Sequence, residues 1–234
     1  MPAPTQPRVS KGDHRDELDA LATGLEGVFL VFEGPDGSGK TTQLNRLKAE
    51  LQARGLVTTQ VRDPGGTHAG ERIREVLLDT ETGEIAVACE TLLYMASRAQ
   101  LCAEVIRPAI DARHLVFADR FVSSTIAYQG GGGGMPEADI VEIARIATAG
   151  AVPDLVIVFD VDGDTAAKRL NPLLDRMEAK GAEFHGRVRE SYLRQVRAEP
   201  ARHLLVDATG GPEDVFASLV RGLLARVPLG GVRP

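Results

Sequence analysis

Gly34-Pro35-Asp36-Gly37-Ser38-Gly39-Lys40-Thr41 follows the pattern G-x-x-x-x-G-K-[ST]. An apolar run, Val28-Phe29-Leu30-Val31-Phe32, precedes it. A helix-compatible run, Thr42-Gln43-Leu44-Asn45-Arg46-Leu47-Lys48-Ala49-Glu50-Leu51, follows. Strand, glycine-rich turn and helix is the order in which this pattern forms a phosphate cradle. Glycine lets the backbone turn sharply, so that N–H groups converge on phosphate oxygens. The start of the next helix adds free N–H donors and partial positive charge. Lys40 would then reach the β- and γ-phosphates, and the Thr41 hydroxyl would ligate Mg²⁺. A plain glycine-rich turn that happens to contain lysine is the competing reading, and the flanking strand and helix weigh against it. Gly34, Gly37 and Gly39 do not have the G-x-G-x-x-G spacing of a dinucleotide site.

The rest of the chain can build a sizeable domain around this loop. It has 234 residues, 43% of them hydrophobic, which suits one globular α/β unit with a tail or lid to spare. A net charge of −6 argues against a broad nucleic-acid surface, though it leaves room for local arginine clusters. The two cysteines, Cys89 and Cys102, lie in apolar, helical-looking sequence without metal-ligand spacing. Each reads best as a small buried apolar residue, and a reducing cytoplasm is the simpler setting. No apolar run reaches 18 residues, so no membrane span is expected.

Moving outward, residues 1–26 read as an N-terminal extension whose opening dozen are mobile, with a short helix over 16–25. Strands are expected at 28–33, 57–61, 115–118, 155–159 and 203–206. Helices are expected at 42–51, 69–79, 84–107, 136–149, 164–170, 183–197 and 213–226. The alternation predicts a three-layer sandwich: a five-stranded parallel sheet with helices on both faces and a short lid at about 171–182. The domain spans 27–228, followed by a tail at 229–234. Pro108 should end the long helix. The five glycines at 130–134 should form a mobile loop, because glycine disfavours helix.

Several side chains fall where such sheets bind ligands, at the carboxyl ends of strands. Arg62 precedes a Pro-Gly-Gly turn and is a candidate phosphate ligand, or else a solvated loop arginine. Asp119 closes the third strand, where a carboxylate would face Mg²⁺ or its waters, and Arg120 faces the same crevice. Tyr94 and Arg98 share a helix face. From spacing alone they read as a core tyrosine beside a surface arginine; a base-stacking pair is the sharper alternative.

Taken together, the motifs resemble the thymidylate kinase family. The resemblance covers about residues 27–226. It rests on F-E-G-P-D-G-S-G-K-T-T-Q at 32–43, R-D-P-G-G-T at 62–67, L-L-Y-M-A-S-R-A-Q at 92–100, D-R-F-V-S-S-T-I-A-Y-Q-G at 119–130 and D-R-M-E at 175–178. It implies transfer of the γ-phosphoryl group of ATP to dTMP with Mg²⁺, in a homodimer. Gly34, Pro35, Asp36, Gly37, Ser38, Gly39, Lys40, Thr41 and Thr42 would hold the nucleotide. Thr41, Asp119 and Asp36 would surround the metal, and Asp36 would also hold the sugar 3′-hydroxyl. Tyr94 would stack on thymine and Arg98 would contact the base edge. Arg62, Arg74 and Arg120 would hold the acceptor phosphate region. Ser124, Tyr128 and Gln129 would read base and sugar, with Tyr128 where a 2′-hydroxyl would be crowded.

The family places a charge-stabilising arginine in the phosphate loop or the lid. This loop has none, so Arg176, then Arg169, are the lid candidates. Three features depart from the family: a lid reading Asn171-Pro172-Leu173-Leu174, Arg62-Asp63 in place of Arg-Glu, and no arginine in 130–134. Another nucleotide or deoxynucleoside kinase is the alternative. A GTP-dependent switch would need N-K-x-D, but Asn45 and Asn171 are the only asparagines and neither precedes lysine. A nucleotide-binding protein without catalysis would not need Lys40, Thr41, Asp119 and a lid arginine together.

Overall fold

Nearly continuous apolar strands require cover on both sides, and the computed structural model, which describes residues 14–169 and 175–226, supplies it. The strands are β1 Phe29–Glu33, β2 Thr58–Arg62, β3 Leu115–Asp119, β4 Leu155–Asp160 and β5 His203–Asp207. They form one sheet in the order β2-β3-β1-β4-β5, and every neighbouring pair is parallel. Strand periodicity divides the side chains between two cores. Leu30, Phe32, Phe117, Ile157 and Phe159 point to one; Phe29, Val31, Val116, Ala118 and Val158 point to the other.

The helices in chain order are α1 Arg15–Gly24, α2 Lys40–Gln52, α3 His68–Leu78, α4 Val87–Leu101, α5 Arg107–Asp111, α6 Val122–Thr125, α7 Glu137–Thr148, α8 Gly163–Arg169, α9 Ala182–Ala198 and α10 Pro212–Leu224. The first core is closed by Leu44, Leu47 and Leu51 of α2 and by Val215, Phe216, Leu219, Val220 and Leu223 of α10. Leu18 and Leu21 of α1, with Leu25 after it, bury in the same core. The described part of the expected extension is thus a layer of the fold. Leu101, Cys102 and Ile106, with Val188 and Tyr192 of α9, close the second core. A smaller cluster joins Met95 of α4 to Ile140, Ala144 and Ala147 of α7.

Three expectations are corrected. The helix that should stop before Pro108 runs on: α4 passes through a π-helical turn, Cys102–Ile106, into α5, which carries Pro108 in its first turn. The wider turn takes up the missing proline N–H and the ring's bulk at one place. The glycine run is not a loose loop either, because Ile126–Gly132 forms another π-helical segment continuing α6. Close packing explains it. A Cβ at Gly131 would lie 2.5 Å from the Ser191 Cβ, and one at Gly132 would lie 2.4 Å from the Phe184 ring. Only glycine lets α9 approach this closely. Finally, Cys89 is exposed on α4, whereas Cys102 is buried as expected, its thiol pushed up to about 12 by burial. The expectations for the opening dozen residues, for Asn171-Pro172-Leu173-Leu174 of the lid and for the tail at 229–234 fall outside the described residues.

Candidate active site

The phosphate loop adopts the backbone its glycines permit. Gly34, Gly37 and Gly39 have φ of +139°, +78° and +79°, values that side chains with a Cβ rarely adopt. Gly34 and Gly37 are also pressed against neighbouring backbone, since a Cβ on either would meet the carbonyl oxygen of Phe159 or Ala166 at 2.4 Å. Nothing lies within 4 Å of where a Cβ on Gly39 would be. Helix α2 starts at Lys40, so its first-turn N–H groups open toward this loop. Ser38 Oγ is buried without a hydrogen-bond partner among the described residues, an orphan that a phosphate oxygen would satisfy.

Beside the loop, at the carboxyl ends of β1, β2 and β3, lies a cleft of about 310 Å³. Lys40, Thr41 and Asp36 form its phosphate-loop wall. Arg62 and Arg74 come from the β2 end and α3, and Tyr94 and Arg98 come from α4. Asp119, Arg120, Ser124, Tyr128 and Gln129 complete it from β3 and the segment after it. The fold therefore brings together residues spread from 36 to 129. Gly34, Pro35, Gly37, Ser38, Gly39 and Thr42 shape the loop without lining the cleft.

Charge in the cleft is paired. Arg120 occupies the left-handed region at φ +71°, a strained setting for arginine, and its N–H reaches Phe32 O at 2.9 Å. Its guanidinium donates to Asp36, to Ser124 Oγ at 3.0 Å, and to the hydroxyls of Tyr128 and Tyr192 at 3.1 and 3.2 Å. Tyr128 also donates to Asp36 Oδ2 at 2.8 Å. Burial pushes the Asp36 carboxyl upward, but Arg120 and Lys40 outweigh it and hold the group well below the usual carboxylate range. Burial, then Arg120, lower the Lys40 amine, against the pull of Asp36, Asp119 and Glu33. Tyr94 is raised, first by burial and then by Glu90.

Arg98 is only 1% exposed. It donates to Asp63 Oδ2 at 2.5 Å, Phe121 O at 3.0 Å and Thr125 Oγ1 at 3.1 Å. It reaches the cleft from within the core and is not the surface arginine that spacing suggested. Arg62 is exposed and paired with Glu71 at 3.1 Å, and Arg74 donates to Pro64 O at 3.0 Å. The two lid candidates lie elsewhere. Arg169 donates to the carbonyls of Ala208, Thr209 and Gly210. Arg176 donates to Leu77 O and to Glu90. Neither lines the cleft, although Asp175, Met177 and Glu178 do.

Magnesium fits the donor set. The Thr41 hydroxyl donates to Asp119 Oδ2 at 2.6 Å, placing two hard oxygen ligands side by side. No cluster of three or more His, Cys, Asp or Glu among the described residues could hold a metal alone. That suits an ion completed by water and substrate phosphates.

Sequence reasoning missed Glu33, Tyr192 and Glu90. Glu33 accepts from the backbone N–H of Phe121 and Ser124 at 2.8 and 3.1 Å, and from the hydroxyls of Ser124 and Tyr192 at 2.5 and 3.0 Å. Burial raises its carboxyl in spite of Arg120 and these donors. A carboxylate ending a fully apolar strand was the available signal.

A parallel sheet, a glycine cradle at the end of its central strand and a cation-lined cleft beside it define a P-loop phosphotransferase. The profile of the family described as "Thymidylate kinase" matches residues 32–219. The thymidylate kinase of Pelotomaculum thermopropionicum is 44% identical over 200 residues, covering 84% of this chain and 93% of that protein. That of Deinococcus radiodurans is 46% identical over 193 residues, covering 81% and 92%. That of Enterococcus faecalis is 41% identical over 211 residues, covering 87% and 99%. The chain belongs to the thymidylate kinase family.

Proposed function

We propose that this chain transfers the γ-phosphoryl group of ATP to dTMP, giving dTDP and ADP, with the cleft residues in the roles given below. The carrying observation is the common wall: Lys40 and Thr41 of the phosphate loop border the same cleft as Tyr94, Arg98 and Gln129. A donor held by the loop and an acceptor held in the cleft would meet at Lys40.

Phosphoryl transfer demands alignment and positive charge more than covalent help from protein. Lys40 and Arg120 are the cations at that meeting point. Asp36 is kept anionic by Arg120 and Tyr128, ready to accept from a sugar 3′-hydroxyl. Arg62 and Arg74 bring charge to the acceptor phosphate, and Tyr94 and Arg98 hold the base. Bound Mg²⁺ would neutralise phosphate charge, and Thr41 and Asp119, with Asp36 nearby, would hold it. The family resemblance also leads us to propose a homodimer, a cytoplasmic setting, and 27–228 as the catalytic domain with a lid at 171–182. No helix among the described residues is long and apolar enough to cross a membrane.

The test is ADP release from purified protein given ATP and Mg²⁺, against dTMP and a panel of other nucleoside monophosphates. Preferential turnover of dTMP supports the reading. Preference for another acceptor would establish the alternative kinase, and no release with any would end both.

A further inference from the structure

Glu90 belongs to no recognised motif in this chain, yet it sits at a junction. It lies in the first turn of α4, one helical turn before Tyr94, and is 2% exposed. Its Oε1 accepts from Gln129 Nε2 at 2.8 Å, and Lys180 Nζ stands 3.6 Å from the same oxygen. Its Oε2 accepts from Arg176. Arg176 is fixed further by Leu77 O at 2.8 Å, and its own N–H reaches Leu78 O at 3.3 Å. One buried carboxylate thus touches the 175–180 segment through two cations and a cleft-lining amide through the third contact.

A buried carboxylate left with fewer donors is costly, so the three partners are held together or lost together. There is also an orientational consequence. A carboxylate accepts and has no proton to give, so the Gln129 amide must turn its NH₂ toward Glu90. The amide's other end is then its carbonyl oxygen, an acceptor. An acceptor suits a pyrimidine with a ring N–H, as in thymine, and repels one whose ring nitrogen is itself an acceptor, as in cytosine.

We propose that Glu90 is a positioning residue that docks the 175–180 segment, through Arg176 and Lys180, to the amide that reads the acceptor base. It acts through Gln129 and Arg176, which makes Arg176 the segment's anchor. The docking claim stands on geometry alone, and the base-reading claim rests on the proposed function.

The experiment compares wild type, Glu90→Gln, Arg176→Met and the double variant by two readouts. The first is trypsin cleavage after Lys180, which needs no catalysis. Loss of charge-assisted bonds should speed it by about tenfold or more in Glu90→Gln and in Arg176→Met. The second is steady-state kinetics. Glu90→Gln should raise the KM for dTMP by about tenfold and cut the dTMP-over-dCMP preference by a similar factor, with the KM for ATP within about twofold of wild type. The double variant should be no worse than Glu90→Gln, since both changes break one link. Unchanged cleavage in both single variants would overturn the docking. An unchanged KM and preference, multiplying effects in the double variant, or an equal rise in both KM values would overturn the coupling. Should Glu90→Gln fail to fold, Arg176→Met carries the same readouts. Wild type that makes no dTDP would sink the proposed function and the base-reading half, while the cleavage result would still judge the docking.

Discussion

The chain holds two glycine-rich stretches, and glycine serves a different physical end in each. Over 34–39 all three glycines have positive φ, and the residue is chosen for a backbone shape. Over 130–134 only Gly134 does, at +82°. Gly130, Gly131 and Gly132 are helical and Gly133 caps them, and Gly131 and Gly132 are chosen for what they lack, because Ser191 and Phe184 fill the space of a side chain. One run bends the main chain into a cradle; the other lets two helices touch. Glycine content alone does not separate these cases, but the neighbours do.

The contrast can be broken at graded cost. Lys40 ends the first stretch, so Lys40→Met should lower kcat by about 10²–10³-fold, as loss of one preorganised charge does, measured by ADP release. A smaller loss would mean that the cradle holds phosphate without its lysine. In the second stretch the effect should fall on stability. Gly132→Ala should cost about 1–3 kcal/mol by overpacking against Phe184, read from denaturant midpoints. No change would show that α9 shifts freely.

Asp36, inside the first stretch, adds a pH dependence. Its folded value is depressed, so its contribution is full above the unfolded value of about 3.9 and is lost as pH falls below it. The Tm gap between wild type and Asp36→Asn should therefore be widest near neutrality and narrow below about pH 4. A constant gap would contradict the pairing with Arg120. Least affected should be Gly130→Ala, whose Cβ would meet the flexible end of Ile140 at 3.2 Å and the Met135 carbonyl oxygen at an ordinary 3.6 Å. A change beyond about 0.5 kcal/mol would blur the distinction between the two stretches.

Much of the fold was legible because period and punctuation agree. Four apolar runs and one β-branched run, Val57–Val61, each followed by turn residues and a helical pattern, leave little but a parallel sheet. The cleft residues were legible where a motif carried them, as Lys40, Thr41 and Asp119 were. Other features depend on partners distant in sequence. The helix through Pro108 needed a π-turn that no local pattern announces. The packed glycines needed Phe184 and Ser191, more than fifty residues further on. Glu90 carried no signal of its own because its partners, Gln129 and Arg176, lie on other elements. Arg98 read as a surface cation because Asp63, its buried counter-charge, sits across the cleft wall.

The place of β1 in the sheet has a consequence for synthesis. It is the first of the described strands to be made, yet its two neighbours are β3 and β4, so it lacks both partners until much of the chain exists. Such long-range pairing is slow and leaves Phe29-Leu30-Val31-Phe32 open to wrong association meanwhile. The apolar strand that waits for these partners is the one that leads directly into the glycine cradle.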